Sequence, residues 1–266
     1  MNTTTGREYG ALRDSGGVHV WQGTTDGPPP VAGLQLLSAA ERAVMRRRPR
    51  ADGLRYAGAH IAVRRVLSRY LGVAPAGIRF GTEPCPWCAD PDHGRPVVVG
   101  PPTALDFNLS HAGPHWVLAV TTAGQVGVDV EDGRSGSPAG AASLVMSESE
   151  LTHLNSLVDD GARQAAFLRC WTRKEAVVKA IGTGITADLK ALEVRPEQAG
   201  PLVVRGSEPA GADDWLVQDL PSGRGLFVAL ARPAGSTGPV VLRDPRSPER
   251  PVPLPGAHSI LEPFRS

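Results

Sequence analysis

The spacing of apolar residues predicts two long helices, one in each half of the chain. Residues 53–70 carry apolar side chains at a helical period, and a glycine follows directly, as is typical where helices end. Residues 162–181 form the second long helix, which is also closed by glycine. A shorter helix begins at Ser38, because a serine three residues before Glu41 forms a capping box.

Alternating apolar residues predict strands between and after these helices. The strands are expected at 96–100, 105–109, 115–122 and 125–131, and with weaker patterns at 189–194, 202–205, 215–219 and 225–230. From Arg232 onward the chain is rich in proline and has no period, so we expect a disordered or loosely packed tail. Helices followed by strands occur twice, which predicts an α+β fold of two similar halves joined near 121–124.

Composition places the chain among ordinary globular proteins. It has 266 residues, of which 41% are hydrophobic and 21% charged, enough for one large domain or two small ones. The first ten residues lack the apolar segment of a signal peptide, and no apolar run approaches the roughly 20 residues that cross a bilayer. Three cysteines are too few for a disulfide framework. Together with the lack of long apolar runs, this leads us to expect a cytoplasmic protein with no membrane partner.

Charge is uneven along the chain. Residues 41–79 contain ten arginines against Glu41 and Asp52, a local charge of about +8. Such a segment suits an acidic partner or a polyphosphate, but a solvated surface in an arginine-rich chain is the preferred explanation for most of these residues. No nucleic-acid partner is expected. The chain has only three lysines, and two of them, Lys174 and Lys179, lie in the predicted helix 162–181. These two positions therefore favour an ammonium group over a guanidinium.

Three carboxylates form the main candidate site. Asp129 and Glu131 are two apart on a predicted strand, so both side chains project from the same face. Glu175 lies on the predicted helix 162–181, with Lys179 one turn further along. Carboxylate oxygens together with substrate phosphate oxygens are the ligands that Mg²⁺ prefers. Taken singly, the strand pair also fits a solvent-facing sheet edge, and Glu175 with Lys179 fits a surface ion pair.

A second group of polar residues follows the strand 105–109. Ser110 and His111 are expected in a tight turn, where a hydroxyl, a ring nitrogen and backbone N–H groups suit phosphate oxygens. A simple hairpin turn with a solvent-facing histidine is the alternative. A Ser-His-Asp hydrolase is rejected, because Ser110 lacks the G-x-S-x-G elbow and adjacent residues at a strand end point to opposite sides. Arg95 lies directly before Pro96. Its side chain is able to bind a phosphate through two hydrogen bonds, but an ordinary loop arginine fits the sequence equally well.

The pair Cys85 and Cys88 has the spacing of half a zinc site. His93 lies close in sequence and would be a third ligand. Only Asp90 or Asp92 is close enough in sequence to be the fourth. A reduced structural loop is the preferred interpretation over metal binding.

Four motifs occur in order along the chain. They are Gly94-Arg95-Pro96, Phe107-Asn108-Leu109-Ser110-His111, Gly127-Val128-Asp129-Val130-Glu131 and the segment from Trp171 to Gly182, which includes Lys174, Glu175 and Lys179. In this combination the chain resembles the Sfp-type 4′-phosphopantetheinyl transferases. The resemblance covers about 95–184 and extends more weakly back to about 55.

The resemblance implies two pseudo-twofold-related α+β halves with the active site in the cleft between them. The halves are expected at 1–122 and 123–232, followed by a Pro-rich tail at 233–266. The implied activity is Mg²⁺-dependent transfer of 4′-phosphopantetheine from coenzyme A to a serine of an apo acyl or peptidyl carrier protein, by a monomer. The alternatives are a non-catalytic relative that binds coenzyme A or a carrier protein, and a metal-dependent phosphohydrolase.

The resemblance also implies roles for residues in the third and fourth motifs. Asp129 and Glu175 correspond to Mg²⁺ ligands, and Glu131 to a third ligand, direct or through water. Lys179 corresponds to the contact with the transferred phosphate. Glu175 is the first choice for the base that accepts the serine proton, and Glu131 is the alternative.

The remaining implied roles concern coenzyme A. Ser110 and His111 correspond to contacts with the nucleotide phosphates, including the 3′-phosphate. Arg95 corresponds to a phosphate or adenine contact. Arg55 corresponds less closely to a basic residue near the adenosine.

Overall fold

In a computed structural model, which describes residues 5–25, 27–86, 88, 94–135, 139–184, 188–206, 213–246 and 252–254, the chain forms a mixed α+β fold. The helices are α1 Thr5–Ser15, α2 Val31–Leu34, α3 Ala39–Arg47, α4 Arg50–Leu71, α5 Ala142–Val145, α6 Glu148–Ser156 and α7 Asp160–Ile181. The strands are β1 Val18–Thr24, β2 Arg79–Thr82, β3 Pro96–Gly100, β4 Asp106–Ala112, β5 His115–Thr121, β6 Gly127–Asp132, β7 Leu202–Val204, β8 Trp215–Asp219, β9 Leu226–Pro233, β10 Val240–Arg243 and β11 Val252–Pro253. None of the helices within these ranges is both long and apolar enough to span a lipid bilayer.

The first half is a five-stranded sheet covered by the 22-residue helix α4. The strand order is β11-β10-β1-β5-β4, with β1 and β10 parallel and the other pairs antiparallel. Val63, Val66 and Leu67 of α4 are buried against Trp21 and Leu118 of the sheet. Gly72 ends the helix in the left-handed conformation (φ 70°), as the sequence predicted.

The second half repeats this arrangement with the 22-residue helix α7 on a four-stranded antiparallel sheet. The strand order is β6-β9-β8-β7. Ala176, Val177 and Ala180 of α7 are fully buried in a core shared with Val217 and Ala229 of the sheet. The predicted pairing of one long helix with strands in each half is therefore confirmed.

The two sheets pack on each other through the faces that the long helices leave uncovered. Val20 and Val117 of the first sheet share a buried cluster with Val128, Val130 and Leu230 of the second. The order of layers is α4, first sheet, second sheet and α7. Because Val128 and Val130 point into this central core, Asp129 and Glu131 between them must face α7.

Two expectations about the C-terminal part of the chain are wrong. The tail after Arg232 is not uniformly loose, because Val240–Arg243 form β10 beside β1, and Val240 is buried. Residues 189–194 do not form a strand, since Leu189–Ala191 make a single 3₁₀ turn capped by Asp188. Strand β1, which is central in the first sheet, was not predicted from the sequence.

Strand β10 brings a charge to a buried histidine. His19 Nδ1 lies 2.8 Å from the Tyr70 hydroxyl, which also accepts a hydrogen bond of 2.9 Å from Trp21 Nε1. Arg243 Nη2 lies 3.3 Å from His19 Nε2. Burial, and after it the Arg243 charge, lowers the pKa of His19 to about 3. The imidazole is therefore neutral in the folded protein at physiological pH.

We expect His19 to make the protein less stable in acid. Its pKa is about 3 when folded and 6.5 ordinarily, so between these values the unfolded chain binds a proton that the folded chain does not. This contribution to stability is complete above pH 6.5 and is lost progressively as the pH falls toward 3. Urea unfolding of the wild type and of His19→Gln at several pH values measures it. As the pH falls, the free energy of unfolding of the wild type should decrease more than that of His19→Gln. A difference between the two proteins that does not change with pH would contradict the assignment.

Candidate functional site

Helix α7 lies unusually close to strand β6, and Gly127 permits it. A Cβ atom at Gly127 would come within 1.9 Å of the Ala176 carbonyl oxygen and 2.6 Å of the Ala180 backbone nitrogen. These are backbone atoms that a side chain cannot displace without moving the helix. The close approach brings the face of α7 that carries Glu175 and Lys179 against Asp129 and Glu131.

Asp129 is the centre of the site and is only 3% exposed. Its Oδ1 atom accepts a hydrogen bond of 2.8 Å from the Ser110 hydroxyl and lies 2.5 Å from the Lys179 ammonium nitrogen. The same ammonium donates to Ser110 Oγ at 3.0 Å. Residues that the sequence places on β4, β6 and α7 thus converge on one carboxylate oxygen.

Glu131 and Glu175 are electrostatically coupled to Asp129. Burial and the Asp129 charge together raise the pKa of Glu131 to about 7, although Trp171 Nε1 donates a hydrogen bond of 2.9 Å to Glu131 Oε1. Burial, and after it the Asp129 charge, also raises the pKa of Glu175. Glu175 is 9% exposed as a residue, and its Oε1 atom is buried rather than turned into solvent. Three acidic groups in one partly buried region repel each other, and a cation would relieve this repulsion.

The donor set fits a divalent cation, although no ready-made site is visible. Among the described residues, no group of three or more His, Cys, Asp or Glu side chains already has the arrangement of a metal site. Asp129 Oδ2 and Glu175 Oε1 are nevertheless buried without a hydrogen-bond partner. Unpaired buried carboxylate oxygens are costly unless a ligand satisfies them, and hard oxygen donors are what Mg²⁺ requires.

Side chains of β4 join the two sheets at this point. Strands β4 and β6 lie side by side without pairing through their backbones. Instead, the backbone N–H groups of Val126, Val128 and Val130 donate to β4 side chains. The acceptors are Asp106 Oδ2 at 2.9 Å, Asn108 Oδ1 at 3.1 Å and Ser110 Oγ at 3.3 Å. We call this row of three side-chain contacts the β4–β6 seam.

Ser110 and His111 lie in strand β4 and not in the turn that the sequence analysis expected, because the strand continues to Ala112. Because they are adjacent on a strand, the two side chains project from opposite faces of the sheet. Ser110 is buried at the seam, whereas His111 is exposed and lines a cavity of about 410 Å³ with Tyr56 and His60. The predicted opposite orientation, which excluded a Ser-His-Asp triad, agrees with this placement.

The surroundings of His111 are positively charged. The cavity wall keeps water from part of the His111 ring, and this desolvation, followed by the charges of Arg48, His60 and Lys179, lowers the pKa of His111. The Arg48 guanidinium lies 5.0 Å from the Tyr56 ring centroid, and the Tyr56 and His60 rings are 4.0 Å apart. The charges of Arg48 and Lys179 both act on His111, which suits an anionic group. The Glu41 carboxylate on the cavity wall is itself paired with Arg64 at 2.6 Å.

Two other predicted residues have partners within the protein. Arg95 is 8% exposed and forms ion pairs of 2.9 Å with Glu83 and 2.8 Å with Asp106. It also lies against Gly182 at the end of α7. Arg55 is on the exposed side of α4, paired with Asp52 at 3.2 Å. The structure therefore groups Ser110, Asp129, Glu131, Glu175 and Lys179, and leaves Arg55 apart from them.

The cysteine loop carries no defined site. Cys85 is buried and Cys88 is exposed. His93, Asp90 and Asp92, the other residues of the predicted half zinc site, lie outside the described residues.

Sequence reasoning missed several residues around the site. Arg48, Tyr56 and His60 belong to α4 or the segment before it, and they reach His111 only because α4 packs on the first sheet. Trp171 was noted only as part of a motif, yet its indole holds Glu131. Arg48 is followed by Pro49, and an Arg-Pro pair marks a helix boundary in the sequence. That signal does not show where the Arg48 side chain points.

Comparison with known proteins gives one consistent result. A family model described as the 4′-phosphopantetheinyl transferase superfamily matches residues 125–231. The relative 4′-phosphopantetheinyl transferase ffp of Bacillus subtilis is 28% identical over 201 residues, which are 75% of this chain and 84% of that protein. 4′-Phosphopantetheinyl transferase Sfp of Bacillus subtilis strain 168 is 30% identical over 141 residues, or 53% of this chain and 57% of the relative.

Among solved structures, the chain is similar to the holo-[acyl-carrier-protein] synthase of Thermotoga maritima. The identity is 24% and the TM-score 0.34, over 44% of this chain and 67% of the other.

Proposed function

Because this chain belongs to the 4′-phosphopantetheinyl transferase superfamily, we propose that it transfers 4′-phosphopantetheine from coenzyme A to a serine of an apo acyl or peptidyl carrier protein. One observation carries the proposal. Asp129, Glu131, Glu175 and Lys179 meet at the junction of β6 and α7, and β4 connects this group to the cavity at His111, on which the charges of Arg48 and Lys179 act. Acidic groups for a metal and cationic groups for phosphates thus lie on either side of one strand.

Coenzyme A carries a pyrophosphate and a 3′-phosphate, and the two cationic regions suit them. In the proposed complex Lys179 contacts the phosphate that is transferred, and His111 with Arg48 faces the phosphates of the nucleotide end. The support is the position of His111 in a cavity of about 410 Å³ that Arg48 and Lys179 influence electrostatically. Tyr56 and His60 offer ring faces on the wall of the same cavity.

Mg²⁺ is part of the proposal. Asp129 and Glu175 would hold it through their unpaired buried oxygens, with Glu131 as a third ligand or one acting through water. When bound, the ion would offset the charge that develops on the pyrophosphate oxygens.

The chain's own residues account for the remaining steps. The serine hydroxyl of the carrier attacks the β-phosphorus, the bond to the bridging oxygen breaks, and adenosine 3′,5′-bisphosphate leaves. Lys179 stabilises the charge on the transferred group. The serine proton goes to Glu175, or alternatively to Glu131, because a raised pKa makes each carboxylate a better proton acceptor.

The carrier protein is expected to dock beside α5 and α6. Leu144 of α5 is 72% exposed and Val158, just after α6, is 93% exposed, so both offer apolar contacts to a partner. Alternatively, Arg46 and Arg47 at the end of α3 offer a complementary charge to an acidic carrier helix. A monomeric, cytoplasmic enzyme remains a prediction.

One assay tests the proposal. The purified chain is incubated with apo carrier protein, coenzyme A and Mg²⁺, and the intact mass of the carrier is measured. We expect a gain of one phosphopantetheine, and none on a carrier whose acceptor serine is replaced by alanine. Consumption of coenzyme A without a gain in carrier mass would indicate hydrolysis instead. Binding of coenzyme A with neither outcome would indicate a non-catalytic relative.

A further inference from the structure

The hydroxyl group of Ser110 has no capacity left for a ligand. It donates its single hydrogen to Asp129 Oδ1 at 2.8 Å. It accepts from the Lys179 ammonium at 3.0 Å and from the Val130 backbone N–H at 3.3 Å. A serine hydroxyl has one donor and two acceptor lone pairs, so all three are used.

This saturation disagrees with a phosphate-binding role for Ser110. A phosphate oxygen accepts hydrogen bonds, so binding it would require the Ser110 hydrogen that Asp129 already receives. Ser110 is also 6% exposed, whereas the neighbouring His111 is exposed at the cavity. Of the two residues, only His111 is placed to meet a phosphate.

The contacts of Ser110 instead determine how Asp129 is presented. Ser110 and Lys179 both bind Oδ1, which fixes the rotation of the carboxylate and leaves Oδ2 as its unpaired buried oxygen. The bond from Val130 N–H in turn anchors the serine to the strand that carries Asp129. One hydroxyl from the first half therefore orients a carboxylate and an ammonium of the second half.

We infer that Ser110 is a positioning residue, which orients Asp129 and Lys179 for the transfer step and does not bind coenzyme A. The inference rests on the proposed function. It assigns to the β4–β6 seam two kinds of contact. Asn108 joins the strands and Asp106 joins them while also pairing with Arg95, whereas Ser110 also aligns the reacting centre.

Three variants separate these roles. Ser110→Ala removes the hydroxyl, Ser110→Thr restores it, and Asn108→Ala removes a neighbouring seam contact that touches neither Asp129 nor Lys179. For each, kcat and KM for coenzyme A are measured with apo carrier in excess. The Kd for coenzyme A is measured by calorimetry without carrier, and Tm shows that the protein is folded.

For Ser110→Ala we expect kcat to fall about 10- to 100-fold, the effect of losing a hydrogen bond to a charged group, with the Kd for coenzyme A changed less than about threefold. Ser110→Thr should recover kcat to within about threefold of the wild type. Asn108→Ala should lower Tm as Ser110→Ala does, yet retain kcat within about threefold.

Four results would overturn the inference. A Kd weakened about tenfold or more at unchanged kcat would make Ser110 a phosphate contact. An equal loss of kcat in Asn108→Ala would make the whole seam a structural joint. If Ser110→Thr does not fold, the kcat and Kd of Ser110→Ala still decide between these roles. A wild type that transfers nothing defeats the proposed function and this inference with it, whereas an active wild type with a fully active Ser110→Ala defeats this inference alone.

Discussion

Replacing Asp129 by asparagine is expected to lower kcat/KM for transfer by about a thousandfold, the largest effect of any single change in the site. The substitution keeps the size of the side chain and removes its charge. Asp129 contacts both Ser110 and Lys179, and its charge raises the pKa of both Glu131 and Glu175. The variant therefore loses the candidate metal ligand on the strand and the partner of Lys179 together. Steady-state kinetics with apo carrier protein measure the effect.

Asp132 provides the matched control on the same strand. It lies three residues after Asp129 on β6, so its side chain projects from the opposite face of the strand. There its carboxylate pairs with the exposed Arg134 at 3.0 Å. Asp132→Asn should therefore keep kcat/KM within about threefold of the wild type. Retention of more than about a tenth of the wild-type activity in a folded Asp129→Asn would argue against a metal ligand at this position.

The helices, and which residues of β6 share a face of the sheet, were predictable because the sequence signals for them are local. The capping box at Ser38 and the left-handed Gly72 each act within one turn of a helix. The alternation along β6 likewise places Asp129 and Glu131 on one face regardless of what packs there. Strand β10 has no such signal, because its four residues are stabilised by β1, more than two hundred residues earlier in the chain.

The identities of the site residues could be predicted, but their partners could not. A phosphate-binding role suited Arg95 and Ser110 in sequence, since both residue types bind anions on many proteins. Which groups surround them depends on the distance between β4 and β6, which two separate sheets set together. Glu83 and Asp106 pair with Arg95, and Asp129 accepts the Ser110 hydrogen, only in the folded arrangement. Long-range contacts of this kind leave no pattern in the sequence.

The second large effect concerns stability and falls on Lys174. Replacing it by methionine is expected to lower the free energy of unfolding by about 3–5 kcal/mol, the range for breaking a buried ion pair from one side. Lys174 is fully buried, and its ammonium lies 2.6 Å from Glu150 Oε2. It also donates to the carbonyl oxygens of Val145 at 2.9 Å and Leu189 at 2.8 Å. Methionine fills similar space but cannot donate to any of the three acceptors, and it leaves the buried Glu150 carboxylate without its opposite charge.

The geometry explains why an arginine-rich chain keeps a lysine at this position. An ammonium has three donors, and here three acceptors from α5, α6 and the 3₁₀ turn at Leu189 receive them. A planar guanidinium is larger and presents its donors in a fork, so Lys174→Arg should also destabilise the fold. Urea unfolding measures both variants against Lys190→Met, which changes an exposed lysine and should stay within about 0.5 kcal/mol of the wild type. If Lys174→Met unfolded within about 1 kcal/mol of the wild type, the buried ion pair would not hold α6 to α7.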